Sequence, residues 1–172
     1  NISELTNRTL FTDSPILAFL DKISTKIVKI FDISLSLARE YFYMANGEGY
    51  MSGPAYYNAI GISTLIPNRK EITTNKYNYV LDNLTNIDIV RPRKMITNEN
   101  RLYLQLLDGI YYLSKNHCDA PEPLEMFAKQ LKQLQLDEIT LILMAKKLYP
   151  KFVLDMVLEM EEVFHNDETA FA

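Results

Sequence analysis

GYMSGPAYYNAIGISTLIPNRKEITTN, residues 49–75, brings together a helix start, a tyrosine-rich helical turn and the basic approach to a strand. Ser52-Gly53-Pro54 reads as the helix start, because proline fits the first turn, where its missing N–H has no intrahelical partner to lose. The helix is short. Gly61 opens a turn that runs through Ser63 and Thr64 to Pro67. Past Arg69 and Lys70 the pattern becomes β: Glu71-Ile72-Thr73-Thr74, then YNYVLD around residues 78–82, then NIDIV ending at Val90. Asn-rich turn chemistry separates these runs. The stretch therefore predicts an α+β chain with a small, mainly antiparallel three-stranded meander over residues 71–90.

Upstream, Asp13 or Ser14 before Pro15 reads as an N-cap, and Ile16, Leu17, Leu20, Ile23, Ile27 and Ile30 recur at helical spacing. A second series, Leu35, Leu37, Ala38, Tyr41, Phe42 and Ala45, runs to Asn46-Gly47, where glycine can take the left-handed conformation that ends a helix. Two leading helices over 14–46 are expected. Downstream, Thr97-Asn98 reads as the cap of a helix from Asn98 to Ser114, apolar enough to be buried on more than one side and expected to lie across the sheet. His117 to Pro123, with two prolines, reads as a linker. Three helices follow, Leu124 to Leu134, Asp137 to Leu148 and Phe152 to Phe164, with connections short enough for an antiparallel set. The expected organisation is a core over residues 1–116 and a C-terminal helical subdomain over 124–172 packed on it.

The chain has 172 residues, enough for one cored domain or one with a small appendage. A hydrophobic share of 48% against 23% charged excludes a disordered chain. With one cysteine, Cys118, and two histidines, His117 and His165, there is no internal disulfide and no CxxC or HExxH pattern for zinc. No apolar run reaches the roughly 20 residues of a membrane span, and the start lacks the succession of a signal peptide. A cytoplasmic protein without membrane contact is expected. The first residue is Asn1, so a further N-terminal module is an open expectation.

The net charge of −4 is unevenly spread. Residues 69–101 hold seven Lys or Arg against four Asp or Glu, and residues 117–172 hold five against eleven. The basic middle suits a modest anionic contact or a solvated surface, and falls short of a dedicated DNA-binding face. Asp108, inside the apolar run LQLLDGIYYL, needs a donor if buried. It reads as the partner of Arg91, Arg93 or Arg101 or of backbone amides, with a buried catalytic acid as the alternative. His117 beside Cys118 lies in the linker, where adjacent side chains do not face each other as a nucleophile pair. His165 suits a helix C-terminus. Tyr56, Tyr57, Tyr77, Tyr79, Tyr103, Tyr111 and Tyr112 read as half-buried packing residues, with stacking on unpaired bases as the alternative. The glycines form no phosphate loop, so no cofactor is expected. Glu159, Glu161, Glu162, Asp167 and Glu168 read as a solvated helix face and tail, not a cation loop.

The run 49–75, with the turn Gly61-Ile62-Ser63-Thr64-Leu65-Ile66-Pro67 and the strand Glu71 to Asn75, resembles the core of the AbiEi family. These are antitoxins and transcriptional regulators of bacterial abortive-infection (type IV toxin–antitoxin) systems. Arg91 to Thr97 with Leu104-Gln105-Leu106-Leu107-Asp108 is similar to the family's second block, and the resemblance covers roughly residues 37–115. It implies a non-enzymatic antitoxin or regulatory domain acting in phage defence against a nucleotidyltransferase-like toxin, and in many members an N-terminal winged helix that represses the operon. Residues 1–36 do not supply a complete helix-turn-helix with wing, so DNA or RNA contact is expected to need such a module. The Gly-Ser-x-Asp-x-Asp signature of the toxin itself is not present in the sequence. Within this picture Arg69, Lys70, Arg91, Arg93 and Lys94 are the candidate contact residues for nucleic acid or an acidic partner. The alternative is a protein–protein interaction module that docks through the C-terminal helices.

Overall fold

Pro15 opens one continuous helix, α1 (Pro15–Met44), where two leading helices were expected. No Gly or Pro interrupts the chain between Pro15 and Gly47, so nothing removes a helical hydrogen bond near Asp32 to Ser36. The computed structural model describes residues 15–78 and 86–169. The expected cap at Asp13 or Ser14 and the tail from Ala170 lie outside them. The chain divides into two compact units, one ending at Arg39 and one beginning at Glu40. In the first, residues 22–30 of the helix are exposed throughout.

In the second unit α1 ends at Met44, and Asn46 and Gly47 take φ of 60° and 71°. A sheet and five further helices follow among the described residues: β1 (Gly49–Ser52), α2 (Gly53–Ala59), β2 (Lys70–Thr74), β3 (Ile87–Val90), α3 (Arg101–Tyr112), α4 (Pro123–Gln133), α5 (Glu138–Leu148) and α6 (Lys151–Thr169). The fold is α+β, with strand order β1-β2-β3.

The sheet differs from the expected meander. Its first strand is Gly49–Ser52, a segment read from sequence only as the approach to a helix. β1 pairs antiparallel with β2, Tyr50 opposite Thr73, whereas β2 and β3 run parallel, Lys70 opposite Ile87. The sheet is therefore mixed. Of the expected middle strand, Asn78 lies in a turn, and residues 79–85 are outside the described ones. Parallel pairing needs a crossover of about a dozen residues, and 75–86 supply that length.

Each sheet face is covered by a helix of this unit. On one face Ile72 and Ile87 pack with Tyr43 from the last turn of α1; on the other Tyr50 packs with Ile96 and with Leu104 of α3. The α3 start is shifted from Asn98. Thr97 and Asn100 bond reciprocally, Thr97 N to Asn100 Oδ1 at 2.9 Å and Asn100 N to Thr97 Oγ1 at 3.3 Å, and the helix begins at Arg101.

The C-terminal helices fall where caps and prolines place them. Pro123 occupies the first turn of α4, and Asp137 Oδ2 accepts from Thr140 N at 2.8 Å to cap α5. The linker at 117–123 does not divide the core. Phe127, Leu131, Leu141, Val153 and Val157 share one buried cluster with Tyr57 of α2 and Leu106, Leu107 and Ile110 of α3. At roughly 1.5–3 kcal/mol for each large apolar side chain fully buried, this cluster is the unit's main stabilising term. From Glu40 onward the linker and the C-terminal helices belong to one compact unit.

Candidate anion-binding site

β3 delivers the chain to Arg91-Pro92-Arg93-Lys94-Met95, and Pro92, having no N–H, cannot extend the ladder with β2. The loop is held at the far end of β2. Asn75 Nδ2 donates to Ile96 O at 2.9 Å, and Ile96 N donates to Asn75 Oδ1 at 2.9 Å, so one side chain imitates a strand partner. Between these anchors an open pocket of about 350 Å³ is lined by Asn75, Tyr77, Arg91, Pro92, Arg93, Lys94 and Met95.

Its three cations are differently committed. Arg91 lies over the Tyr77 ring at 5.0 Å and Lys94 is exposed; neither forms an ion pair among the described residues. Arg93 reaches inward. Its guanidinium lies 3.9 Å from the centre of the Tyr111 ring and 5.0 Å from that of Tyr149, and its Nε is 3.6 Å from Asp108 Oδ1.

Of the five basic residues named from sequence, the structure brings together Arg91, Arg93 and Lys94 and separates Arg69 and Lys70. Those two sit at the opposite end of the β2–β3 pair and are neutralised there. Arg69 binds Asp88 through Nε at 2.9 Å and Nη2 at 2.7 Å, and Lys70 Nζ meets Glu40 Oε1 at 2.7 Å. The Arg69 bonds hold the Asp88 carboxyl below its ordinary value.

Asp108 is buried and fully partnered. Tyr50 Oη donates to Oδ2 at 2.6 Å and Tyr149 Oη to Oδ1 at 2.7 Å. Burial pushes the Asp108 carboxyl above its ordinary value, against the opposing bonds from Tyr50 and Tyr149 and the Arg93 charge. Burial and the nearby carboxylate push both tyrosine hydroxyls far above theirs, so they serve as donors. Each carboxylate oxygen thus accepts from one tyrosine hydroxyl, which ties Asp108 to β1 and to the end of α5. Arg93 is the partner among the three arginines named from sequence. The two tyrosines went unforeseen.

A second cluster was also missed. His117 Nδ1 lies 3.1 Å from Ser63 Oγ and 3.3 Å from Asp119 Oδ1, while Asp119 Oδ2 accepts from Thr64 N at 2.8 Å and Thr64 Oγ1 at 2.6 Å. A serine–histidine–aspartate relay needs the serine on one ring nitrogen and the carboxylate on the other. Here both crowd Nδ1, so the cluster fastens the linker to the 62–64 turn. Cys118 is exposed and its Sγ is 3.6 Å from Ala120 O. His165, Asp167 and Glu168 lie among residues whose side chains are outside the described ones. No group of three His, Cys, Asp or Glu among the described residues is arranged to hold a metal, and no described helix is long and apolar enough to cross a membrane.

Comparison with models of protein families, with curated proteins and with solved structures finds no match for this chain.

Proposed function

We propose that this chain is a non-enzymatic antitoxin or regulatory protein of the AbiEi type, countering a nucleotidyltransferase-like toxin, and that it contacts nucleic-acid phosphates through Arg91 and Lys94, beside the inward-facing Arg93. The observation carrying the contact is the convergence of Arg91 and Lys94 on one open pocket, neither of them in an ion pair among the described residues. Tyr77 beside Arg91 adds an aromatic surface of the kind that accompanies phosphate contacts in single-strand binders. Arg69 and Lys70 leave the proposal, because Asp88 and Glu40 already hold them.

A second reading, a protein-docking module, draws on α5, where Ile139 and Leu143 stand one turn apart and 68% and 60% exposed.

The test is growth of cells expressing a nucleotidyltransferase toxin encoded beside this gene, with and without the chain, and with Arg91→Glu/Lys94→Glu. Arg93 is left in place because Asp108 depends on it. Rescue by the wild type and loss of rescue in a normally folded double variant are expected. In parallel, RNA and DNA binding should weaken as salt rises, and removing each contacting cation should lower the slope of log K against log salt by about 1. Rescue undiminished in the double variant sinks the pocket, and toxicity without rescue sinks the antitoxin reading.

A further inference from the structure

We infer that the first part of α1 assembles with the same helix of a second copy of this chain, as a coiled coil. Ile16, Leu20, Ile23, Ile27, Ile30, Ser34 and Leu37 are spaced alternately by four and three residues. In heptad terms Leu20, Ile27 and Ser34 are a positions, and Ile16, Ile23, Ile30 and Leu37 are d positions. Lys22, Lys29 and Asp32 fall at c and f, the outer positions. All of these residues lie in one uninterrupted helix.

The period identifies the occupant. A straight helix drifts about 20° per heptad from a strict seven-residue repeat, so a seam kept over three heptads fits a helix that supercoils with another of comparable length. Among the described residues this chain holds no second such helix. The next longest, α6 with 19 residues, spends Val153, Val157 and Met160 in the core. A second α1 matches in length and period by construction. Among its described positions, Ile23 is 37%, Ile27 60% and Leu37 57% exposed.

Size is sufficient. Six apolar seam positions, each removing about 60–120 Å² from water on each helix, give an interface of about 1,000 Å², the lower end of specific association. Leu17 and Phe31 at e and Phe19 and Ile33 at g broaden the stripe, and Leu20 and Ile27 at a with isoleucine at three of the four d positions favour assemblies above two strands. Dimer, trimer and tetramer all satisfy the inference.

Sedimentation equilibrium of the full chain tests it. The wild type is expected to associate at micromolar concentration, Ile23→Asp/Ile27→Asp to be monomeric, and Lys29→Ala, on the outer face, to behave as wild type. Ser34 supplies the register-specific test, because replacing the polar a position completes the seam. Ser34→Ile should tighten association on the order of a hundredfold, from about 1.5 kcal/mol or more per helix, whereas Ser36→Ile at c should not. A monomeric wild type, association indifferent to the Ile23/Ile27 pair, or equal effects of Ser34→Ile and Ser36→Ile would each overturn the inference.

Discussion

Tyr50 Oη donates to Asp108 Oδ2 across 2.6 Å, joining β1 to the middle of α3 over 58 residues of sequence. With Tyr149 on the other oxygen and Arg93 at 3.6 Å, it explains how an apolar helix carries a buried carboxylate. A hydrogen bond contributes about 0.5–1.5 kcal/mol when both groups are neutral and about 1.5–3 kcal/mol when one is ionised. Tyr50→Phe and Tyr149→Phe should each lower unfolding free energy in urea by an amount in that span. Asp108→Ala, which strands both hydroxyls, should cost about 3 kcal/mol or more. If Tyr50→Phe were neutral, the pair would be mere proximity.

The same carboxylate sets a pH dependence. Because burial raises the Asp108 pKa on folding, the folded state keeps its proton to higher pH than the unfolded state. Its contribution is therefore full below the unfolded value of about 4 and declines as pH rises through the raised folded value. Asp108→Asn removes this titration and keeps an acceptor for one tyrosine. The stability of the wild type relative to Asp108→Asn should fall as pH rises above about 4, the unfolded value. A difference that grew with pH over that range would mean that the tyrosines and Arg93 outweigh burial.

Arg93 separates structure from binding within the basic pocket. Its guanidinium packs on Tyr111 and Tyr149 beside Asp108, so Arg93→Glu would set a second carboxylate against a buried one. That variant should lose about 2 kcal/mol or more. Arg91→Glu and Lys94→Glu, at exposed positions, should each stay within about 0.5 kcal/mol. Thermal unfolding of the three single variants checks the ranking, and equal melting temperatures would refute it.

How much of this was legible depended on the distance over which each residue acts. Pro123, Asp137 and Pro150 punctuate the C-terminal helices locally, and those helices start where the sequence placed them, although α6 runs on past Phe164 to Thr169. β1 was not legible, because four residues leading into Gly53-Pro54 become a strand only through pairing with β2 about twenty residues later. Nor does alternation disclose direction, which is why the parallel β2–β3 pair was expected as part of a meander. At the site, Arg91, Arg93 and Lys94 were recognisable because they are nearly contiguous on a proline-containing loop. The capture of Arg69 by Asp88 and of Lys70 by Glu40 spans 19 and 30 residues and left no local trace.

Two glycines with opposite constraints provide a last prediction. Gly49 lies where β1 passes under the end of α1: a Cβ there would stand 2.4 Å from Tyr43 O and 3.1 Å from Thr73 O, both backbone atoms that cannot swing aside. Gly61 has open space around it but a φ of 80°, which strains any residue with a Cβ. Gly61→Ala should therefore cost about 1–2 kcal/mol, with Gly61→Asn milder because asparagine tolerates the left-handed region. Gly49→Ala should cost about 3 kcal/mol or more, since relieving the clash means shifting β1 off β2 or the last turn of α1 off the sheet. Urea unfolding of the three variants gives the order. If Gly61→Ala proved the more damaging, conformational strain at the turn would outweigh close packing at the sheet, and the tight approach of Tyr43 to β1 would have slack that these distances deny.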